Sequence, residues 1–308
     1  LACRLQSSKK KKKREIDMEK PTIGIIGGTG LGDALAAHLT EITSETPDTP
    51  FGKPSGPIQI GTFAGRRIAF LNRHGAGHFL NPSRVPYAAN IFALKALGVR
   101  TLIASGAVGS LREDFAPGEL VLAEQFIDKT CRRQSSFFDN LGAVHVDFSR
   151  PCCRRLREQM LSISRGLSLK IHPAGTYLCM EGPQFSTQAE SLLHRQWGAD
   201  LIGMTALPEA KLAREAQMCY ALVALVTDYD CWRPHPAGQP QPSLLEEIIG
   251  NLQTATERSI AFIQHLLKTE SRLVDADCSC RHALDLAVWT SPQAVNPQER
   301  KRLAVLFE

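Results

Sequence analysis

The chain contains an unbroken apolar run, Tyr220-Ala221-Leu222-Val223-Ala224-Leu225-Val226, that ends abruptly in Thr227-Asp228-Tyr229-Asp230-Cys231-Trp232. Side chains alternate across a strand, so a strand that is apolar at every position leaves no face for water. The run therefore predicts a strand covered on both faces, inside a sheet with helices on either side. Open α/β sheets bind ligands beyond the C-terminal ends of their strands. Asp228 and Asp230 stand at that end two residues apart. As alternate strand residues they are expected to point the same way and to reach one ligand together. An isolated Asp-x-Asp also caps strands in solvent, so its meaning depends on what surrounds it.

Ordered structure is expected to begin at Thr22-Ile23-Gly24-Ile25-Ile26, a β-branched run that stops at Gly27-Gly28-Thr29-Gly30. Further strands are predicted over 58–63, 67–71, 101–105, 120–127, 174–180, 201–204 and 221–227. Helical periodicity covers 87–97, 153–164, 186–197, 208–216, 244–267 and 283–290. Strands alternating with helices predict an α/β domain over 21–308, with a C-terminal helical appendix and no internal repeat. Pro234, Pro236, Gly238, Pro240 and Pro242 make a breaker-rich loop directly after Trp232, beside the expected ligand edge.

The formal net charge of +5 is confined to one end. Residues 1–20 carry eight basic and three acidic side chains, and the remaining residues carry 28 of each. The body thus gives no electrostatic ground for binding nucleic acid. The run Lys9-Lys10-Lys11-Lys12-Lys13-Arg14 is too charged to pack, so residues 1–20 are expected to be a disordered basic tail. Leu1 opens the chain and Met18 stands just before the first strand, so residues 1–17 are read as upstream sequence. No apolar run reaches the length of a membrane-spanning helix, and the basic segment lacks the apolar stretch of a secretory signal. Of the nine cysteines, Cys152-Cys153 are adjacent, Cys278 and Cys280 form a C-x-C, and no second pair has zinc-site spacing. The expectation is reduced thiols in a cytoplasmic protein without a metal, with Cys278 and Cys280 as ordinary helix residues.

Four further strand ends carry candidate ligand groups. Gly27-Gly28-Thr29-Gly30 lacks the spacing of a dinucleotide fingerprint, yet a glycine turn with exposed N–H groups and one hydroxyl suits a phosphate. Arg73-His74-Gly75 adds a guanidinium fork and an imidazole expected as a second donor, with His78 in the same loop. Ser105-Gly106-Ala107-Val108-Gly109-Ser110 reads as a second glycine turn after a strand. Met204-Thr205 closes another strand. Phosphate donors at several strand ends and paired carboxylates at one describe a site for phosphate plus an uncharged nitrogen base. Two acceptors side by side suit N7–H and the 6-amino group of adenine.

Those motifs, in order along the chain, carry a resemblance. Together with Thr49-Pro50-Phe51-Gly52-Lys53-Pro54-Ser55, Gly109-Ser110-Leu111-Arg112-Glu113, Glu181-Gly182-Pro183-Gln184-Phe185-Ser186, Trp197-Gly198-Ala199-Asp200 and Pro208-Glu209, they are similar to the trimeric purine nucleoside phosphorylase family, in its methylthioadenosine-cleaving branch. The similarity runs from about Thr22 to the end of the chain. It implies a twisted mixed sheet flanked by helices, a homotrimer, no cofactor, and phosphorolysis of 5′-methylthioadenosine with inorganic phosphate as co-substrate. By position it implies that Thr29, Arg73, His74 and Thr205, with backbone donors at Gly106 and Ala107, hold phosphate. Met204 would lie under the ribose, Phe185 and Ser186 along the purine, and His145 in the 5′ pocket of a neighbouring subunit. Asp228 and Asp230 would bind N7 and the 6-amino group, with Asp228 and His74 as the catalytic pair. Gly106 departs from the family, which often has a hydroxyl residue there. A 6-oxopurine phosphorylase and a nucleotide-binding regulatory module are the competing readings. The first fits poorly with an acceptor at 230, and the second leaves Arg73 and the paired carboxylates unexplained.

Overall fold

The computed structural model describes residues 20–28, 31–233, 244–269, 273–274 and 277–308. The basic tail, Thr29 and the proline-rich loop fall outside the described residues, apart from Lys20. The chain opens with β1 (Ile23–Gly27), α1 (Leu31–Ala36) and the strands β2 (Thr40–Glu45), β3 (Ile58–Phe63) and β4 (Arg66–Asn72). Next come α2 (Tyr87–Ala96), β5 (Thr101–Ser110), β6 (Leu120–Leu122), β7 (Gln125–Lys129), α3 (Arg154–Ser164), β8 (Ile171–His172) and β9 (Thr176–Met180). The last elements are α4 (Gln188–Gln196), β10 (Leu201–Gly203), α5 (Glu209–Glu215), β11 (Cys219–Asp228), α6 (Leu244–Thr269) and α7 (Pro297–Arg302).

The strands form one mixed sheet of eleven, and β5 is its branch point. The apolar run identified in the sequence is β11, buried at every position and parallel to β5. Its alternate residues divide between two cores. Tyr220, Leu222, Ala224 and Val226 pack on the side of α2 and α5, while Ala221, Val223 and Leu225 pack on the side of α3 and α6. Burying each such aliphatic side chain contributes about 1.5–3 kcal/mol, so both layers are held by one strand. Helix α4 starts on a capping box, in which Thr187 accepts from the Glu190 N–H and Glu190 answers with its carboxylate. No described helix is long and apolar enough to cross a membrane.

Three expectations are corrected. Residues 105–110 are not a glycine turn, because β5 runs straight through them to Ser110. Its glycines serve close approach instead: a Cβ on Gly109 would stand 2.8 Å from Asp228 Oδ1 and 3.1 Å from Ile202 Cγ2. The strand expected over 120–127 is two strands. At Ala123 and Glu124 the chain leaves the edge of β11, donating to Leu222 O and then to Gly175 O, and β7 goes on to pair with β9. The helix expected over 283–290 is a short 3-10 turn, Ser279–His282, followed by turns, because Val288 forms a bridge with Val144 and the Thr290 hydroxyl binds the Ala143 N–H.

The branch at β5 also makes an opening. On one side β1 pairs with β5 at Thr101–Ala104, and β10 pairs with it only at Gly109 and Ser110. Between them the backbone edge at 105–108 has no strand partner on that side among the described residues. This is the divergence of strands at which α/β sheets accept ligands.

Gly109→Ala is expected to cost about 1–3 kcal/mol by overpacking against Asp228 and Ile202. Gly56→Ala, where a Cβ meets nothing within 4 Å, is expected to change stability by less than about 0.5 kcal/mol. Urea unfolding of the two variants beside the wild type measures the difference.

Candidate active site

A cavity of about 390 Å³ opens at the gap in β5. At one end it is lined by Gly28, Arg73, His74, Gly106, Ala107 and Thr205, and at the other by Phe185, Met204, Asp228 and Asp230. Nine of the residues proposed from sequence therefore meet at one cavity. Ser186 lies one layer out, with its hydroxyl on Met180 Sδ and its carbonyl accepting from Cys231. His145 is elsewhere on the chain, exposed, with its ring against Trp289 at 4.9 Å.

Arg73 is completely buried. Its Nε and Nη2 donate to the two oxygens of Glu209 at 2.7 and 3.0 Å, and Nη1 donates to Ser105 O at 2.8 Å. Glu209 also accepts from the Tyr220 hydroxyl at 3.0 Å. Burial works against the guanidinium charge, but the Glu209 carboxylate outweighs it and holds the arginine pKa above its ordinary value. Of five N–H groups three are committed, so two remain for a ligand rather than the whole fork expected from sequence.

His74 differs more. Its Nδ1 lies 2.7 Å from Leu80 O, and a carbonyl can only accept, so Nδ1 carries the proton. Burial and the charge of Arg73 push its pKa down to about 4. The neutral ring, stacked on His78 at 4.2 Å, offers the Nε2 lone pair. It is an acceptor and not the second donor expected. Gly106 leaves room beside Thr205 Oγ1 and Arg73 Nη1, which lie 3.5 and 3.9 Å from where a Cβ would stand.

At the other end the two carboxylates converge, although not through strand alternation. β11 ends at Asp228, and Asp230 sits in a left-handed turn with φ 51°. That turn folds the Asp230 N–H back onto Asp228 Oδ1 at 2.8 Å. Asp230 Oδ2 accepts from the buried Ser191 hydroxyl at 2.5 Å. Burial raises the pKa of Asp230 and pushes that of Asp228 from 3.8 to about 6. Thr227 Oγ1 has one proton and lies 2.7 Å from Asp228 Oδ2 and 3.2 Å from Val108 O, which can only accept. Its bond to the Asp228 carboxylate, like that of the Asp230 N–H, opposes the rise that burial causes.

His78, noted in the sequence beside Arg73-His74, lines the cavity. Several functional neighbours escaped the sequence reading: Phe79, Met180, Ile202 and Ile248 line the cavity too. Arg133 fixes Met204 by donating to its carbonyl at 2.6 Å, and also binds the carbonyls of Leu207 and Glu181. Glu181, which opens the Glu181–Ser186 motif, is occupied by Ser83, the Cys131 N–H and Arg133.

A sheet with a ligand gap of this kind defines a class, and comparison with known proteins bears it out. The phosphorylase superfamily model matches residues 22–268, and the chain belongs to that family. Within it, the chain is 44% identical over 289 residues to an S-methyl-5′-thioadenosine phosphorylase of Gloeobacter violaceus, covering 92% of this chain and 94% of the relative. One from Thermofilum pendens is 45% identical over 271 residues, covering 88% of this chain and all of the relative. The crystal structure of a methylthioadenosine phosphorylase from an antarctic soil metagenomic library superposes with a TM-score of 0.83 at 41% identity, covering 94% of this chain and 99% of that one. A Schistosoma mansoni methylthioadenosine phosphorylase in complex with tubercidin gives 0.75 at 31% identity, covering 86% and 99%.

A carboxyl raised from 3.8 to about 6 corresponds to about 3 kcal/mol. The folded chain holds this proton more tightly than the unfolded one, so the contribution is fully present below pH 3.8 and is lost as pH rises through about 6. Asp228→Asn removes the titration. At roughly pH 7.5 the variant is expected to be about 1–3 kcal/mol more stable than wild type, with the difference gone near pH 4. Urea unfolding across that range measures it.

Proposed function

We propose that the chain is a pentosyltransferase that phosphorolyses 5′-methylthioadenosine to adenine and 5-methylthioribose 1-phosphate, a reaction of methionine and purine salvage. One observation carries this reading: a single cavity joins an anion end, built on Arg73 and the open edge of β5, to a buried carboxyl whose pKa is raised to about 6, within reach of proton transfer near neutral pH. Phosphate oxygen bonds to the anomeric carbon as the bond from that carbon to N9 breaks, and the electron pair leaves with the base. Asp228 delivers its proton to N7, and general acid catalysis of this kind contributes about 10²–10⁴-fold. Asp230, oriented by Ser191, reads the 6-amino group.

At the other end the two spare N–H groups of Arg73, the N–H of Ala107 beside the open space at Gly106, the Thr205 hydroxyl and Thr29 hold phosphate. His74 accepts a hydrogen bond at Nε2 from a hydroxyl of phosphate or sugar. Met204 and Phe185 bracket the ribose and purine, with Ser186 behind. Positioning and charge compensation supply the rate, and the reaction as written calls for no cofactor. We further infer a cytoplasmic homotrimer with no nucleic-acid or membrane partner. His145 reaches the 5′ side of a neighbour's cavity, consistent with its place beside exposed Trp289 and Leu286 and with the exposed rim residue Phe79.

Ultraviolet absorbance of methylthioadenosine, coupled through xanthine oxidase, tests the reading. Adenine is expected only when phosphate is present, and release without phosphate overturns it. Asp228→Asn is expected to lower kcat by about 10²–10⁴. Asp230→Asn is expected to raise the inosine-to-adenosine ratio of kcat/KM by about tenfold to a hundredfold, because the amide presents an N–H to a 6-oxo group. An unchanged ratio removes Asp230 from base recognition.

A further inference from the structure

Four cysteines that no step above uses lie together at the far end of the sheet. Cys153 precedes α3, Cys219 opens β11, and Cys278 and Cys280 belong to the turn at Ser279–His282. Their sulfurs all lie within 4.8 Å of one another, and Cys153 and Cys278 are 3.7 Å apart. A tetrahedral ion bound at the zinc–thiolate length of about 2.3 Å needs sulfurs roughly 3.8 Å apart. The sequence hides this set because its members come from three distant segments, so the cysteines read there as ordinary helix residues.

Burial alone does not separate a metal site from four small apolar side chains, but the surroundings do. Arg155 Nη2 approaches Cys219 Sγ at 3.9 Å. Arg281 follows Cys280 directly, and its buried Nη2 has no hydrogen-bond partner among the described residues. Four neutral thiols give buried guanidinium groups nothing to compensate. A tetrathiolate centre of net charge −2 does, as outer groups around bound metals commonly show. A cavity of about 630 Å³ lined by Cys153, Asp277, Cys278 and Cys280 supplies the entry path that such a site requires.

We propose that Cys153, Cys219, Cys278 and Cys280 bind one zinc-class divalent ion as thiolates. The ion fastens residues 277–308 to α3 and to the start of β11. Binding forms four metal–sulfur bonds and releases the thiol protons to solvent, with no electron transfer. Cys219 and Asp228 stand at opposite ends of a ten-residue strand, about 30 Å apart. The ion is therefore structural, and the proposal is independent of the phosphorolysis reading.

The test uses the full chain, purified anaerobically without chelator. About one zinc per chain is expected by mass spectrometry of the metal. After reduction and metal removal, Co²⁺ is expected to give the intense visible bands and near-ultraviolet charge transfer of a tetrathiolate site. Cys278→Ser/Cys280→Ser should lose at least about tenfold in metal content, whereas Cys131→Ser should retain it. The wild-type cobalt spectrum decides the matter even where the double variant folds poorly. No cobalt spectrum, whether with four alkylatable thiols or with intact disulfides found in the native mass, overturns the proposal.

Discussion

The buried ion pair between Arg73 and Glu209 is the interaction on which the rest of the site depends. It ties the end of β4 to the first turn of α5, and its partners extend to Ser105 on β5 and Tyr220 on β11. Taking two charges out of water is costly, and only good geometry with satisfied oxygens offsets that cost. Here both Glu209 oxygens are hydrogen-bonded, while the two remaining N–H groups of Arg73 have no partner among the described residues. The arginine thus arrives at the gap already oriented, and an anion there meets a fixed donor rather than a mobile side chain. Neutralising half of the pair would leave an uncompensated buried charge, a change typically of about 3–5 kcal/mol.

The two ends of the cavity use burial in opposite ways. At Arg73 the cost of burial is overcome by a partner charge, which keeps the guanidinium ionised. At Asp228 no cationic partner is supplied among the described residues, and burial instead raises the carboxyl pKa to about 6. At His74 burial and the neighbouring arginine favour the neutral base. A fixed donor, a neutral base and a carboxyl with its pKa raised to about 6 across one cavity form an arrangement suited to moving a glycosyl group from a basic leaving group to an anion. The glycines of β5 make it possible, since a side chain at 109 would occupy the place of the Asp228 carboxylate.

Much of this was legible in the sequence where the signal is local. The fully apolar strand, its acidic end and the Arg-His strand end are contiguous patterns, and each lies where the pattern implies. What escaped depends on distance along the chain or on backbone detail. Glu209 binds Arg73 across 136 positions, so the halving of its free fork could not be seen. Asp228 and Asp230 meet through a left-handed residue that alternation does not foresee. Gly106 and Gly109 carry the same letters in a turn and in a strand, and only the neighbours at Thr205 and Asp228 distinguish them. The tautomer of His74 follows from the Leu80 carbonyl, which sequence does not place.

The central claim is that one cavity holds phosphate at the Arg73 end and a purine at the Asp228 end at the same time. A crystal structure of the chain with inorganic phosphate and adenine bound together tests it most directly. The account predicts phosphate oxygens on the two N–H groups of Arg73 left free by Glu209 and Ser105, with adenine N7 against Asp228. Phosphate bound away from Arg73, or adenine turned with N7 away from Asp228, would contradict it.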